Sequence, residues 1–123
     1  MKHIMNLNIE PFNMIYDGSK TIELRLYDKK RQAIKVGDTI VFWRTDNNAY
    51  WIEAEVIALH RFPTFKELYE TLPLTKCGYT EENVAQASPD DMLAYYPGSS
   101  QQKTGVVGIE IKVTGKSPLE ETV

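Results

Sequence analysis

The stretch GSKTIELRLYDKKRQAIKVGD, residues 18–38, decides how this chain folds and where its chemistry lies. Ile22, Leu24 and Leu26 alternate with Thr21, Glu23, Arg25 and Tyr27, the period of a half-buried strand over residues 20–27. Solvated charges need no such order. An apolar row backed by an ionic one predicts a charged, partly desolvated groove for a polar ligand, with Lys20, Glu23 and Arg25 at its centre.

The charge distribution around this stretch supports the same reading. The net charge of the chain is −3, yet residues 20–35 carry six basic and two acidic side chains against eight and fifteen elsewhere. A basic patch on an acidic body is a focused field that suits a polyanion. Lys29, Lys30, Arg31 and Lys35 either extend that footprint or form a solvated turn.

At 123 residues the chain is expected to be one domain, residues 1–123, burying roughly two thirds of its unfolded surface. Its opening, MKHIMNLNIEPF, lacks the apolar stretch of a secretion signal, and no apolar run approaches ~18 residues. A lone Cys77 leaves no partner for an internal disulfide and no cysteine zinc site. The expectation is a cytoplasmic protein without membrane association.

Residues 2–8 read as a strand. Residues 8–18 read as a helix, with Pro11 in its first turn, Phe12, Ile15 and Tyr16 at helical spacing, and Gly18 as its stop. Lys35-Val36-Gly37-Asp38 marks a turn, Thr39 to Arg44 a strand, Asp46-Asn47-Asn48 a hairpin turn, and Tyr50 to His60 a long strand. Thr64-x-x-Glu67 is a capping box opening a short helix closed by Pro73, and Ser88-Pro89-Asp90-Asp91 is a second. Residues 99–104 read as a polar loop, Val106 to Val113 as the closing strand, and residues 115–123 as a frayed tail. With no βαβ rhythm, the fold class is α+β: a small, mostly antiparallel β-barrel flanked by short helices.

Several segments together resemble the ASCH domain family, within the wider group of PUA-like β-barrels. They are Glu10-Pro11-Phe12; Gly18-x-Lys20-Thr21-Ile22-Glu23-x-Arg25; Ile34-x-Val36-Gly37-Asp38-x-Ile40-x-Phe42; Tyr95-Tyr96-Pro97; and Gly105-Val106-Val107-Gly108-Ile109. The resemblance covers about residues 3–114. It implies a five- or six-stranded barrel with a cleft lined by the Lys20 to Arg25 segment, and RNA or a nucleotide as partner. It also implies alternatives. Some small members are amidohydrolases that remove the acyl group of N4-acylated cytidine, and one is described as a ribonuclease.

In the amidohydrolase members a lysine matching Lys20 works with a threonine three residues on and a distant glutamate. Here the third residue on is Glu23, which has no hydroxyl to attack with, and an anion beside Lys20 favours the ammonium over the free base. Thr21 faces the opposite side of a strand from Lys20. The distant acid falls at Glu81 or Glu82. Catalysis would therefore rest on Lys20, Glu23 and Glu81, and the departure at Glu23 disfavours it.

For binding, Lys20 and Arg25 offer donors to phosphate or to a base edge, while Glu23 orients them or accepts from an exocyclic amine. Glu23 and Arg25 are also close enough to pair with each other. Of Tyr27, Trp43, Trp51, Tyr95 and Tyr96, most belong to the barrel wall, and Tyr96 beside Pro97-Gly98 is the preferred stacking residue at the rim. His3 and His60 stand apart, no His, Cys and acidic set has metal spacing, and no nucleotide-binding fingerprint occurs. No metal and no cofactor is expected. A small-molecule or protein-interaction module using the same groove is the remaining alternative.

Overall fold

Five strands form one curled mixed sheet in the computed structural model, which describes residues 1–118. They are β1 (Lys2–Leu7), β2 (Ile22–Leu26), β3 (Thr39–Arg44), β4 (Trp51–Phe62) and β5 (Val106–Lys116), in the spatial order β1-β3-β4-β5-β2. β1 runs parallel to β3, and the other neighbours are antiparallel. The mostly antiparallel α+β expectation holds. Register shifts between Glu53 and Ala54 and between Val56 and Ala58 bend β4, which curls the sheet into a half-barrel. β1 and β2 are its two ends and do not pair with each other.

Helix α1 (Ile9–Asp17) plugs the interior, burying Phe12 and Ile15. These pack with Met5, Leu7, Ile40, Phe42, Ile52, Val56, Val107 and Ile109, the inward row of the other strands. Each such side chain contributes about 1.5–3 kcal/mol by leaving water. A second cluster lies on the outside of the β2–β5 end. There Ile22, Leu24 and Val106 are covered by Phe65, Leu68 and Tyr69 of α3 (Phe65–Thr71), together with Met92.

This second layer turns β2 around. Glu23 and Arg25 pair in register with Ile109 and Val107, so they share the inward face with core residues. The apolar row faces α3, and the ionic row faces the barrel mouth.

Local structure departs from expectation at four places. The Thr64 hydroxyl donates to the Glu67 carboxylate, so no Thr64 side-chain bond caps α3. At Ser88 the capping box forms as expected, but it opens a 3₁₀ helix, Pro89–Ala94, and not an α-helix. Residues 99–104 are not a loop. They belong to α4 (Gly98–Thr104), whose buried Gln101 accepts a hydrogen bond from the Phe65 backbone N–H at 3.1 Å. That polar residue serves a buried donor, so the polar composition misled. β5 also runs past Val113 to Lys116, and Ser117 is buried with its N–H donating to the Trp51 carbonyl at 3.0 Å. The frayed tail thus cannot begin at residue 115, and its last five positions fall outside the described residues.

Gly105 joins α4 to β5 at φ 72, ψ −174, a region open to glycine alone, and a Cβ there would lie 3.0 Å from the Phe62 carbonyl oxygen. Gly105→Ala is expected to cost about 1–3 kcal/mol in urea unfolding. Gly98→Ala, in open space at the start of α4, is expected to be neutral or mildly stabilising. Equal unfolding midpoints for the two variants would contradict this account of the junction.

Candidate functional site

Lys20 precedes β2. Its backbone N–H donates to the Met14 carbonyl at 3.0 Å, and Thr21 N–H to the Lys76 carbonyl at 2.9 Å, so the chain enters the strand from a turn held by α1. Strict alternation would place residue 20 on the face opposite Glu23. Leaving the strand at Thr21 lets Lys20 Nζ reach Glu23 Oε1 at 2.7 Å. The other oxygen, Oε2, accepts from Arg25 Nε at 2.8 Å. One carboxylate therefore holds two cations, with Lys20 only 8% and Glu23 only 4% exposed.

Arg25 reaches further. Its Nη2 donates to the Asn6 carbonyl at 3.0 Å, linking β2 to β1 across the gap where the sheet does not close. A cleft of about 440 Å³ opens at this seam, walled by β1, α1, β2 and residues 77–79 and 91–96. Gly78 at φ 116 lets the backbone pass beside the Lys20 side chain, where a Cβ would sit 3.6 Å from its Cδ.

Burial alone would raise the Glu23 carboxyl, but the charges of Lys20 and Arg25, and their hydrogen bonds, outweigh it and hold it below the usual carboxylate range. Burial likewise works against the Arg25 guanidinium, and Glu23 more than restores it. Cys77, also on the wall, is pushed up to about 11 by burial and stays a thiol. Opposite, Tyr69 Oη lies 2.7 Å from Tyr79 Oη, and the Tyr79 hydroxyl donates to Asp91 Oδ2 at 2.6 Å. Burial, then that bond, drives the Tyr79 phenol far above its ordinary value.

The predicted site residues separate into groups. Lys20, Glu23, Arg25 and Tyr96 line the cleft. Tyr96 is stacked on Phe65 with ring centres 6.1 Å apart, so its plane is already occupied on one side. Lys29 and Lys30 are exposed on α2 (Lys29–Gln32), outside the cleft, where Asp28 caps the helix and pairs with Arg31 at 3.0 Å. Asp28 and Arg31 lie close enough to Tyr96 to act on its phenol. Lys35 is held at a separate turn, its N–H donating to Asp38, which also pairs with His3 at 2.8 Å. Glu81 and Glu82 are exposed and do not line the cleft. Among the described residues no group of three His, Cys, Asp or Glu could hold a metal.

Asn6, Gly78 and Tyr79 escaped the sequence reading, Asp91 was read only as part of a capping box, and Tyr95 ranked below Tyr96. Tyr95 lines the cleft and is 68% exposed, the freer ring of the two. The Gly78-Tyr79 pair after Cys77 was the available signal for a wall segment. Nothing in sequence marked Asn6, which acts through its carbonyl.

Glu23→Gln would leave Lys20 and Arg25 buried side by side without their anion, and is expected to destabilise the fold by about 3–5 kcal/mol at neutral pH. Because folding lowers the Glu23 pKa, its contribution is complete above the unfolded value of ~4.3 and is lost as pH falls through the lower folded value. Urea unfolding of wild type and variant should differ most near pH 7 and converge only in strong acid. Equal stabilities at pH 7 would contradict the buried array.

The fold agrees with known structures. Over 92% of this chain and 99% of the other, it is similar to the crystal structure of the hypothetical protein PH0355, at 33% identity and a TM-score of 0.74. Over 93% and 98%, it is similar to the solution structure of protein PF0455 from Pyrococcus furiosus, at 30% identity and a TM-score of 0.67. A mutant of ZmASCH from Zymomonas mobilis shares the fold at 16% identity and a TM-score of 0.61, over 89% of this chain and 66% of that one. No curated protein matches. Residues 5–115 match the ASCH domain, and on that match and the two structures near one-third identity, the chain belongs to the ASCH domain family.

Proposed function

We propose that this domain binds an unpaired RNA base or nucleotide in the cleft at the seam between β1 and β2. The observation that carries the reading is the Lys20–Glu23–Arg25 array on the wall of an open cleft. The pairings account for one of the three Lys20 N–H groups and two of the five on Arg25. The rest are donors available to a ligand. A volume near 440 Å³ is in the range of small-ligand sites, and Tyr95 and Tyr96 bring aromatic surface beside the cations. ASCH domains are suggested to bind RNA, which agrees with this chemistry.

Charge favours a base edge inside and phosphate outside. Two cations, Lys20 and Arg25, face three carboxylates around the cleft, those of Glu10, Glu23 and Asp91. The exposed Lys29 and Lys30 provide the sequence-independent attraction for the backbone.

Hydrolysis of an N4-acylated cytidine is the weaker reading. Glu23 stands where the nucleophilic threonine of those enzymes would be, and its carboxylate is engaged by both cations. The Cys77 thiol is raised to about 11 and the Tyr79 hydroxyl is bound to Asp91, so neither is an activated nucleophile at neutral pH.

Titration with a short unstructured RNA should show binding at low salt that Lys20→Ala and Arg25→Ala each weaken. With the backbone met by Lys29 and Lys30, about two phosphate contacts would give a log–log salt slope of about −1.4. N4-acetylcytidine incubated with the protein should be recovered intact. Absent binding, or binding indifferent to both substitutions, overturns the reading; turnover lost in Lys20→Ala would establish the hydrolase instead.

A further inference from the structure

We propose a second subsite next to the cleft, on the outer side of β1 and β3, where the neighbouring base of the same strand stacks on Trp43. The inference rests on the reading of the cleft as a nucleotide site and extends it from one base to two. Its starting point is Asn6, which belongs to both places. The Asn6 carbonyl accepts from Arg25 at the seam, and the residue also lines a second, shallower concavity of about 510 Å³ with Trp43, Arg44, Thr45 and Asn48. A strand leaving the cleft over Asn6 enters this groove directly.

The register explains why the groove carries an indole. Asn6 pairs with Trp43, so their side chains rise from the same face of the sheet. That face is the outer one, because Met5, Leu7 and Phe42 on either side point into the core. Trp43 therefore takes no part in the barrel interior. It stays half-buried on the outside, opposite Trp51 in register. An outward tryptophan beside two asparagines is a poor solvent surface and a good stacking platform.

The charge of the groove selects a base over a phosphate. Arg44 is fixed by two hydrogen bonds to Asp46, at 2.6 and 3.1 Å, and lies over the Tyr50 ring at 4.1 Å. Its charge is matched and its fork is immobilised. What the groove then offers is a neutral aromatic plane with the Asn6 and Asn48 amides at its edge, donors and acceptors suited to the edge of a base. The occupant is a single-stranded nucleic acid of at least two nucleotides.

The test compares adenosine monophosphate, the dinucleotide ApA and hexa-adenylate on the full chain at one fixed low salt concentration. Base stacking predicts that ApA binds about 5- to 150-fold more tightly than the monophosphate, with little further gain per nucleotide in the hexamer. Trp43→Ala should abolish that gain and leave monophosphate binding unchanged, while Trp43→Phe should keep part of it. Arg25→Ala should weaken all three ligands. As a second readout, ApA and not the monophosphate should quench tryptophan emission in a Trp51→Phe background, where Trp43 is the one indole left. Equal affinities for ApA and the monophosphate, or a gain that survives Trp43→Ala in a folded variant, overturn the second subsite and leave the cleft reading standing. No binding of any of the three at low salt overturns both.

Discussion

One carboxylate, that of Glu23, holds this domain together at the point where its sheet fails to close. Removing three charges from water costs several kcal/mol per ion, and in buried ion arrays apolar side chains of similar volume often serve stability as well or better. The array is therefore not explained by stability alone. Its geometry gives two returns. Through Glu23, Arg25 is aimed at the Asn6 carbonyl and ties together end strands that share no ladder. Through the same contact Lys20 is drawn back from a turn into the cleft wall. A seam closed by backbone hydrogen bonds would leave no cleft, and one left unbridged would leave two free strand edges.

The second apolar layer makes this possible. Because α3 and the segment around Met92 cover Ile22 and Leu24 from outside, β2 can bury its apolar row there and spend its other face on ions. The covering layer then supplies the far wall, with the Tyr69–Tyr79–Asp91 chain and the Tyr95–Tyr96 pair. Fold and site are thus built by the same packing decision. The aromatic groups are divided in use: Tyr96 is pinned by Phe65, whereas Tyr95 stays open to solvent.

Much of this was legible in the chain. Alternation at residues 22–26 marked the strand, its ionic face and two residues of the array, Glu23 and Arg25, because burying charge at period two is rarely accidental. Lys20 stood out by the crowding of charge around it and not by the alternation. The segments from Glu10 to Ile109 marked the family. Three things were hidden for physical reasons. Local periodicity cannot show which layer covers a strand, so the inward direction of Glu23 and Arg25 had to come from the register with Val107 and Ile109. Composition left the basic run at residues 29–31 open between groove and solvated turn, and Asp28 gathers it into a separate helical turn. The polar composition of residues 99–104 concealed a helix because Gln101 is buried to satisfy the Phe65 N–H, a partner 36 residues away.

The most direct measurement is a nitrogen-15 NMR titration of the protein with a short single-stranded RNA, following the Arg25 Nε–H resonance and the backbone amides together. The account predicts that Arg25 Nε–H shifts along with the amides of Asn6, Gly78 and Tyr95. Those four sites surround the seam and lie far apart in sequence. Shifts confined to residues 29–35, with the Arg25 resonance unmoved, would mean that RNA meets the basic ridge alone and that the buried array serves the fold and nothing more.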